Sequence, residues 1–148
     1  MAMSGVEVDP EINTLFNDIK TRKTNKWATF KIENKKKITV AEVGEKCTTD
    51  NKDDDKVQFD IMKAALGKEP QYILYDFGFT LKDGRKINKL AFIFWCDDNN
   101  AKIGDKMIYA SSKDSIKKAF VGIGLEFQAN DSGEMDYTTF SDEVERKA

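Results

Sequence analysis

Across the stretch 102–122, KIGDKMIYASSKDSIKKAFVG, Met107, Ser111, Asp114 and Lys118 recur at i, i+4, i+7 and i+11, with Lys106, Lys113 and Lys117 beside them. On a helix turning about 100° per residue, this spacing sets a thioether, a hydroxyl, a carboxylate and an ammonium along one outer line, edged by a basic flank. The chemistry open to such a set is non-covalent. An apolar contact on the helix axis can enter a hydrophobic groove while the lysines pair with an acidic rim. Ser111 and Ala110 are small enough to let a partner approach the backbone closely. An anionic lipid surface would use the lysines but would not need Met107, so a protein partner is favoured, and the two uses are compatible. On pattern alone an ordinary solvated face, with one exposed Met among charges, is the more common case.

Covalent chemistry has little to stand on. The chain contains no histidine, so it lacks the commonest general base and metal ligand and the usual side-chain switch near neutral pH. Gly122-Ile123-Gly124 follows a helix where a phosphate loop requires a strand, and it lacks the remaining glycines. In TTDNKDDDK (48–56), Lys52 takes a ligand position of any calcium loop counted from Asp50, and no glycine follows, so a solvated loop is expected. Two cysteines, Cys47 and Cys96, give neither a disulfide framework nor a zinc spacing. The expectation is a non-enzyme without cofactor or metal. Lys plus Arg number 24 against 26 Asp plus Glu, a net charge of −2, which argues against generic nucleic-acid binding. With no basic-then-apolar leader and no apolar run of about 18 residues, a cytoplasmic protein is expected.

The elements that position the outer line follow from periodicity. Within the same stretch Ile108, Tyr109, Ser112, Ile116, Ala119 and Phe120 share the opposite side and should face a core. Residues 1–8 read as a flexible amino terminus ahead of a single domain, 9–148. Asp9-Pro10 is an N-cap followed by proline at the first helical position, and Ile12, Leu15, Phe16 and Ile19 give that helix its buried stripe. Trp27 to Glu33 and Ile38 to Val43 read as a hairpin with the lysines of 35–37 at its charged tip. A helix from Asp55 to Leu66 should bury Val57, Ile61, Met62, Ala65 and Leu66. Gln71 to Phe79 and Lys89 to Cys96 are strands joined through Asp83-Gly84, and the run LAFIFW reads as a central strand covered on both faces. Trp27 and Trp95 fall in these strand patterns as core residues. Ile123 to Ala129 is a last strand, parallel to its predecessor because a helix intervenes. Gly133 to Ala148 is a final helix with Tyr137, Phe140 and Val144 inward. The fold class is α/β, a mixed sheet of about five strands with helices on both faces.

KMIYASSKD followed by IKK resembles the long actin-binding helix of the ADF/cofilin family, and FNDIKTRK, KWATFKIE, QYILYDFGF and KLAFIFWC follow the family's landmarks in order. The resemblance weakens only around Cys47 to Lys56 and in the last dozen residues. It implies the ADF-homology fold and a monomeric, actin-cytoskeletal protein that binds actin monomers and filament sides and promotes depolymerisation and severing. It further implies a monomer site at Ser4, Gly5, Val6, Lys106, Met107, Ser111, Lys113, Asp114 and Lys118, and a filament site at Arg85, Lys86, Lys89 and Arg146. Ser4 would be a phosphorylation site, and Lys113, Lys117 and Lys118 would meet phosphoinositides. Gly104 stands where the family commonly has a basic residue, and Glu143 and Glu145 crowd Arg146. Both departures leave open an actin-monomer binder with weak severing, and more distantly a phosphoinositide-binding module.

Overall fold

Among the described residues, six strands, β1 (Glu7–Val8), β2 (Trp27–Glu33), β3 (Lys37–Val43), β4 (Gln71–Thr80), β5 (Lys86–Trp95) and β6 (Leu125–Ala129), form one mixed sheet in the order β1-β3-β2-β4-β5-β6. Four helices among them cover it: α1 (Pro10–Arg22), α2 (Lys52–Ala64), α3 (Ile103–Ala119) and α4 (Tyr137–Arg146). The computed structural model describes residues 6–147. Ser4 and Gly5 lie outside the described residues.

The strand beyond the expected five is β1, which pairs parallel with β3 through Glu7↔Lys37 and Val8↔Ile38. Residues 6–8 are therefore not part of a flexible lead. Val6 is 2 % exposed and packs into the core, because its apolar side chain lies beneath the sheet edge that β1 extends. β2 and β3 form the expected hairpin, and Asn34 and Lys35 make its turn at positive φ. β5 runs antiparallel to β4 and parallel to β6, with Ala91↔Leu125 beginning the second ladder.

Alternation along β4 and β5 feeds two cores. Tyr72, Leu74, Phe92 and Phe94 face α1 and α3, where Phe120 gathers the rings of Phe16, Phe30 and Phe92 at centroid separations of 5.2, 5.5 and 5.7 Å. Ile73, Tyr75, Phe77, Ile93 and Trp95 face α2 and α4, where Phe59 meets Tyr75, Tyr137 and Phe140 at 5.3, 5.6 and 5.9 Å. The strand holding LAFIFW is thus covered on both faces, and Trp27 and Trp95 are core residues.

α2 departs from its sequence pattern. It begins at Lys52, where Asn51 caps it by accepting from the Asp54 amide at 2.8 Å. Its inward stripe is Asp55, Phe59 and Met62, leaving Val57 and Ile61 exposed at 56 % and 51 %. The cause is a buried ion pair. The Lys26 ammonium lies 2.8 Å from the Asp55 carboxylate, both side chains essentially without exposure, and also donates to the Asp76 carbonyl and to the Thr49 hydroxyl at 3.0 Å. Asp55 further accepts from the Tyr75 hydroxyl at 2.8 Å, the Tyr137 hydroxyl at 2.6 Å and the Gly78 amide at 3.1 Å. A buried carboxylate with this many donors is tolerated, and the helix rotates to place it there. Gly78 is required at that point, since a Cβ would stand 2.8 Å from the Thr49 carbonyl. The segment expected as a solvated loop leading into this helix therefore contributes Thr49 to the interior, and the helix contributes Asp55.

Candidate protein-binding face

Two hydrogen bonds and three buried side chains fix the face that α3 shows to solvent. The Tyr109 hydroxyl accepts from the Ile32 amide at 2.9 Å, fastening the helix to the end of β2. Its carbonyl accepts from the Tyr72 hydroxyl at 2.5 Å, fastening it to β4. Tyr109, Ser112 and Ile116 are buried, and an apolar side chain so placed contributes about 1.5–3 kcal/mol. The inward side is the one that periodicity indicates, and Gly122, at φ 87°, turns the chain after the helix ends.

The outer line follows as a consequence. Met107 is 68 % exposed, and Ser111, Asp114 and Lys118 are exposed along the same line. The Ser111 hydroxyl turns back to the Ile108 carbonyl at 3.1 Å, which keeps that position low in profile. Ile103, one turn before Met107, is 75 % exposed and extends the apolar contact. Its spacing of four from Met107 is the signal in the sequence that could have found it.

The lysines differ in how they are held. Lys106 donates to the Asp98 carbonyl at 2.8 Å and lies 3.7 Å from its carboxylate. Lys113 and Lys117 both close on Glu126 of β6, at 2.8 and 2.7 Å, one on each carboxylate oxygen. Hydrogen bonds from Lys113 and then Lys117 hold the Glu126 carboxyl below the usual carboxylate range, and the bond to Glu126 raises the Lys117 ammonium. Lys118 is exposed and makes no ion pair among the described residues. Lys106, Met107, Ser111, Lys113, Asp114 and Lys118 are therefore brought together on one helix. Val6 is not on this surface, because its side chain is packed into the core.

The second basic set is largely self-paired. Arg85 is held by Asp83 at 2.8 Å, Lys86 lies 3.5 Å from Asp50, and Arg146 makes a fork to Glu143 at 3.0 and 2.5 Å. The Glu143 carboxyl is lowered by the hydrogen bond from Arg146. Lys89 opens instead onto a groove of about 610 Å3 whose charged lining is Lys20, Lys23, Lys89 and Lys147, with no acidic residue. Val144 and Lys147 at the end of α4 line the same groove, whereas Arg85, Lys86 and Arg146 do not. Among the described residues no group of three or more His, Cys, Asp or Glu is placed to hold a metal ion.

Comparison with known proteins gives consistent matches across the chain. The family model described as cofilin/tropomyosin-type actin-binding protein matches residues 5–145. Cofilin of Schizosaccharomyces pombe is 40% identical over 147 residues, spanning 99% of this chain and 100% of the relative. Actin-depolymerizing factor 1 of Arabidopsis thaliana is 37% identical over 141 residues, spanning 94% of each. The solution structure of the ADF-like UNC-60A protein of Caenorhabditis elegans superposes with a TM-score of 0.78 at 30% identity, covering 97% of this chain and 96% of that one.

Proposed function

This chain belongs to the family of cofilin/tropomyosin-type actin-binding proteins, and on that footing we propose that it binds actin monomers and filament sides and promotes filament depolymerisation and severing, with no covalent step. The observation that supports this reading most is Met107. A large apolar side chain left 68 % exposed on a helix otherwise fastened by Tyr109 and Ile116 is suited to a partner's groove. In this reading Ile103, Lys106, Met107, Ser111, Lys113, Asp114 and Lys118 meet the monomer, together with Ser4 and Gly5 of the amino terminus. Arg85, Lys86, Lys89 and Arg146 meet the filament. Lys113, Lys117 and Lys118 also serve for phosphoinositides, and Ser4 is the site of phosphorylation. The protein acts as a monomer in the cytoplasm.

One feature favours a second reading, a monomer binder with weak severing. The Asp83–Arg85 and Glu143–Arg146 pairs neutralise within the chain the charges that a filament side would use. Surface pairs of this kind are screened by solvent and contribute little, so a partner can displace them, but with some loss of affinity. Co-sedimentation with actin filaments at rising protein concentration separates the readings. Filament-bound protein with a gain of supernatant actin supports side binding and depolymerisation. A gain of supernatant actin without pelleted protein supports monomer binding alone, and no effect on either overturns both.

A further inference from the structure

We propose that Glu126 is a positioning residue that sets the partner selectivity of the α3 face, by committing Lys113 and Lys117 to itself and withholding their charge from generic anionic surfaces. This rests on the reading of α3 as the actin-binding face.

The geometry carries the inference. Glu126 lies on β6, outside α3, and its two carboxylate oxygens are divided between the two lysines at 2.8 and 2.7 Å. The triad carries one net positive charge where the helix alone would carry two. One carboxylate contacting two ammonium groups also fixes both side chains, lowering the entropy that a shaped partner would otherwise have to remove. Lys106 is similarly held by Asp98. Of the four lysines on this helix flank, Lys118 is left with no ion pair among the described residues. A partner that recognises the face by shape, through Met107 and the low-profile Ser111, finds its lysines preset. A membrane or other diffuse polyanion responds only to the count of available charge, and finds it reduced.

The test compares the wild type with Glu126→Gln and Glu126→Asp on phosphatidylcholine vesicles containing phosphatidylserine, and on actin monomers. Each protein is first shown to be folded by circular dichroism. The Gln variant should bind the vesicles about fivefold more tightly, the contribution of one elementary charge near an anionic surface, with a steeper dependence on salt. The Asp variant, which keeps the charge, should return toward the wild type. Measured against Lys113→Gln/Lys117→Gln as its reference, the addition of Glu126→Gln should give clearly less than this gain. Monomer affinity should rise less than vesicle affinity, moving the ratio toward the vesicle. Equal gains on both partners, no gain on vesicles, or a gain undiminished by loss of both lysines would each overturn the proposal. A wild type that fails to bind actin defeats the actin reading by itself, because the vesicle comparison still decides whether Glu126 withholds the lysines.

Discussion

Truncating Met107 and Ile116 separately tests whether the two sides of α3 do different work. The residues differ by nine positions on one helix, yet Met107 is 68 % exposed and Ile116 has no exposure. Fully burying a Met side chain is worth about 1.5–3 kcal/mol, and roughly two-thirds of this one remains for a partner to cover. Met107→Ala should therefore weaken actin-monomer binding by about 1–2 kcal/mol, a factor of roughly 5–30 in Kd. Its unfolding free energy should stay within about 0.5 kcal/mol of the wild type, as for surface changes away from buried features. Ile116→Ala should do the reverse, costing about 2–5 kcal/mol of stability through the cavity it leaves. Its affinity for actin per folded molecule should be preserved. The assays are urea unfolding followed by circular dichroism and titration of labelled actin monomers. A Met107→Ala variant that melts with unchanged affinity, or that binds as the wild type does while fully folded, would refute this division of the two faces.

Lys26→Met should cost about 3–5 kcal/mol, lowering Tm by roughly 10–20 °C, because it leaves Asp55 buried without its cation; a loss under about 1 kcal/mol in urea unfolding would show that the Tyr75, Tyr137 and Gly78 donors suffice alone. On the proposed role of the amino terminus in the monomer interface, Ser4→Glu should reduce monomer binding by adding negative charge there, and full affinity in the same titration would put the amino terminus outside the interface. Burial holds the Asp76 carboxyl above its ordinary value, against the pull of Lys23 and Lys26. The folded state thus binds that proton more tightly than the unfolded chain, so this contribution is fully present below about pH 3.9 and is lost as pH rises through the raised folded value. Asp76→Asn should accordingly gain stability relative to the wild type as pH rises through that window, and a difference that stays flat in pH-dependent urea unfolding would remove Asp76 as the cause.

Where an element buries one apolar stripe against the sheet, its place is legible directly in the chain. The face of α3, the Asp9 cap and Pro10 start of α1, the β2–β3 hairpin, the doubly covered LAFIFW strand and the inward Tyr137, Phe140 and Val144 of α4 all follow from local spacing, since burial of apolar area is the dominant driving force of folding and periodicity records it. The spacing of the outer line on α3, from Met107 to Lys118, follows from the same helix geometry. What depends on tertiary structure is where charged groups go. Asp55 meets Tyr137 across 82 positions, and Lys26 completes the set from beside another strand. In a linear reading an aspartate in TTDNKDDDK counts as solvated, so periodicity points the stripe of α2 to Val57 and Ile61 when Asp55 and Phe59 hold it. Val6 likewise reads as part of a loose end, and only the edge of β3 gives its segment a place in the fold. The lysines of α3 can be located along the chain, but not their availability, because Glu126 and Asp98 reach them from other elements. Apolar residues are sorted by a force with no direction, which leaves its period in the sequence, whereas a charge is settled by a few partners within about 4 Å, brought together only when the chain has folded.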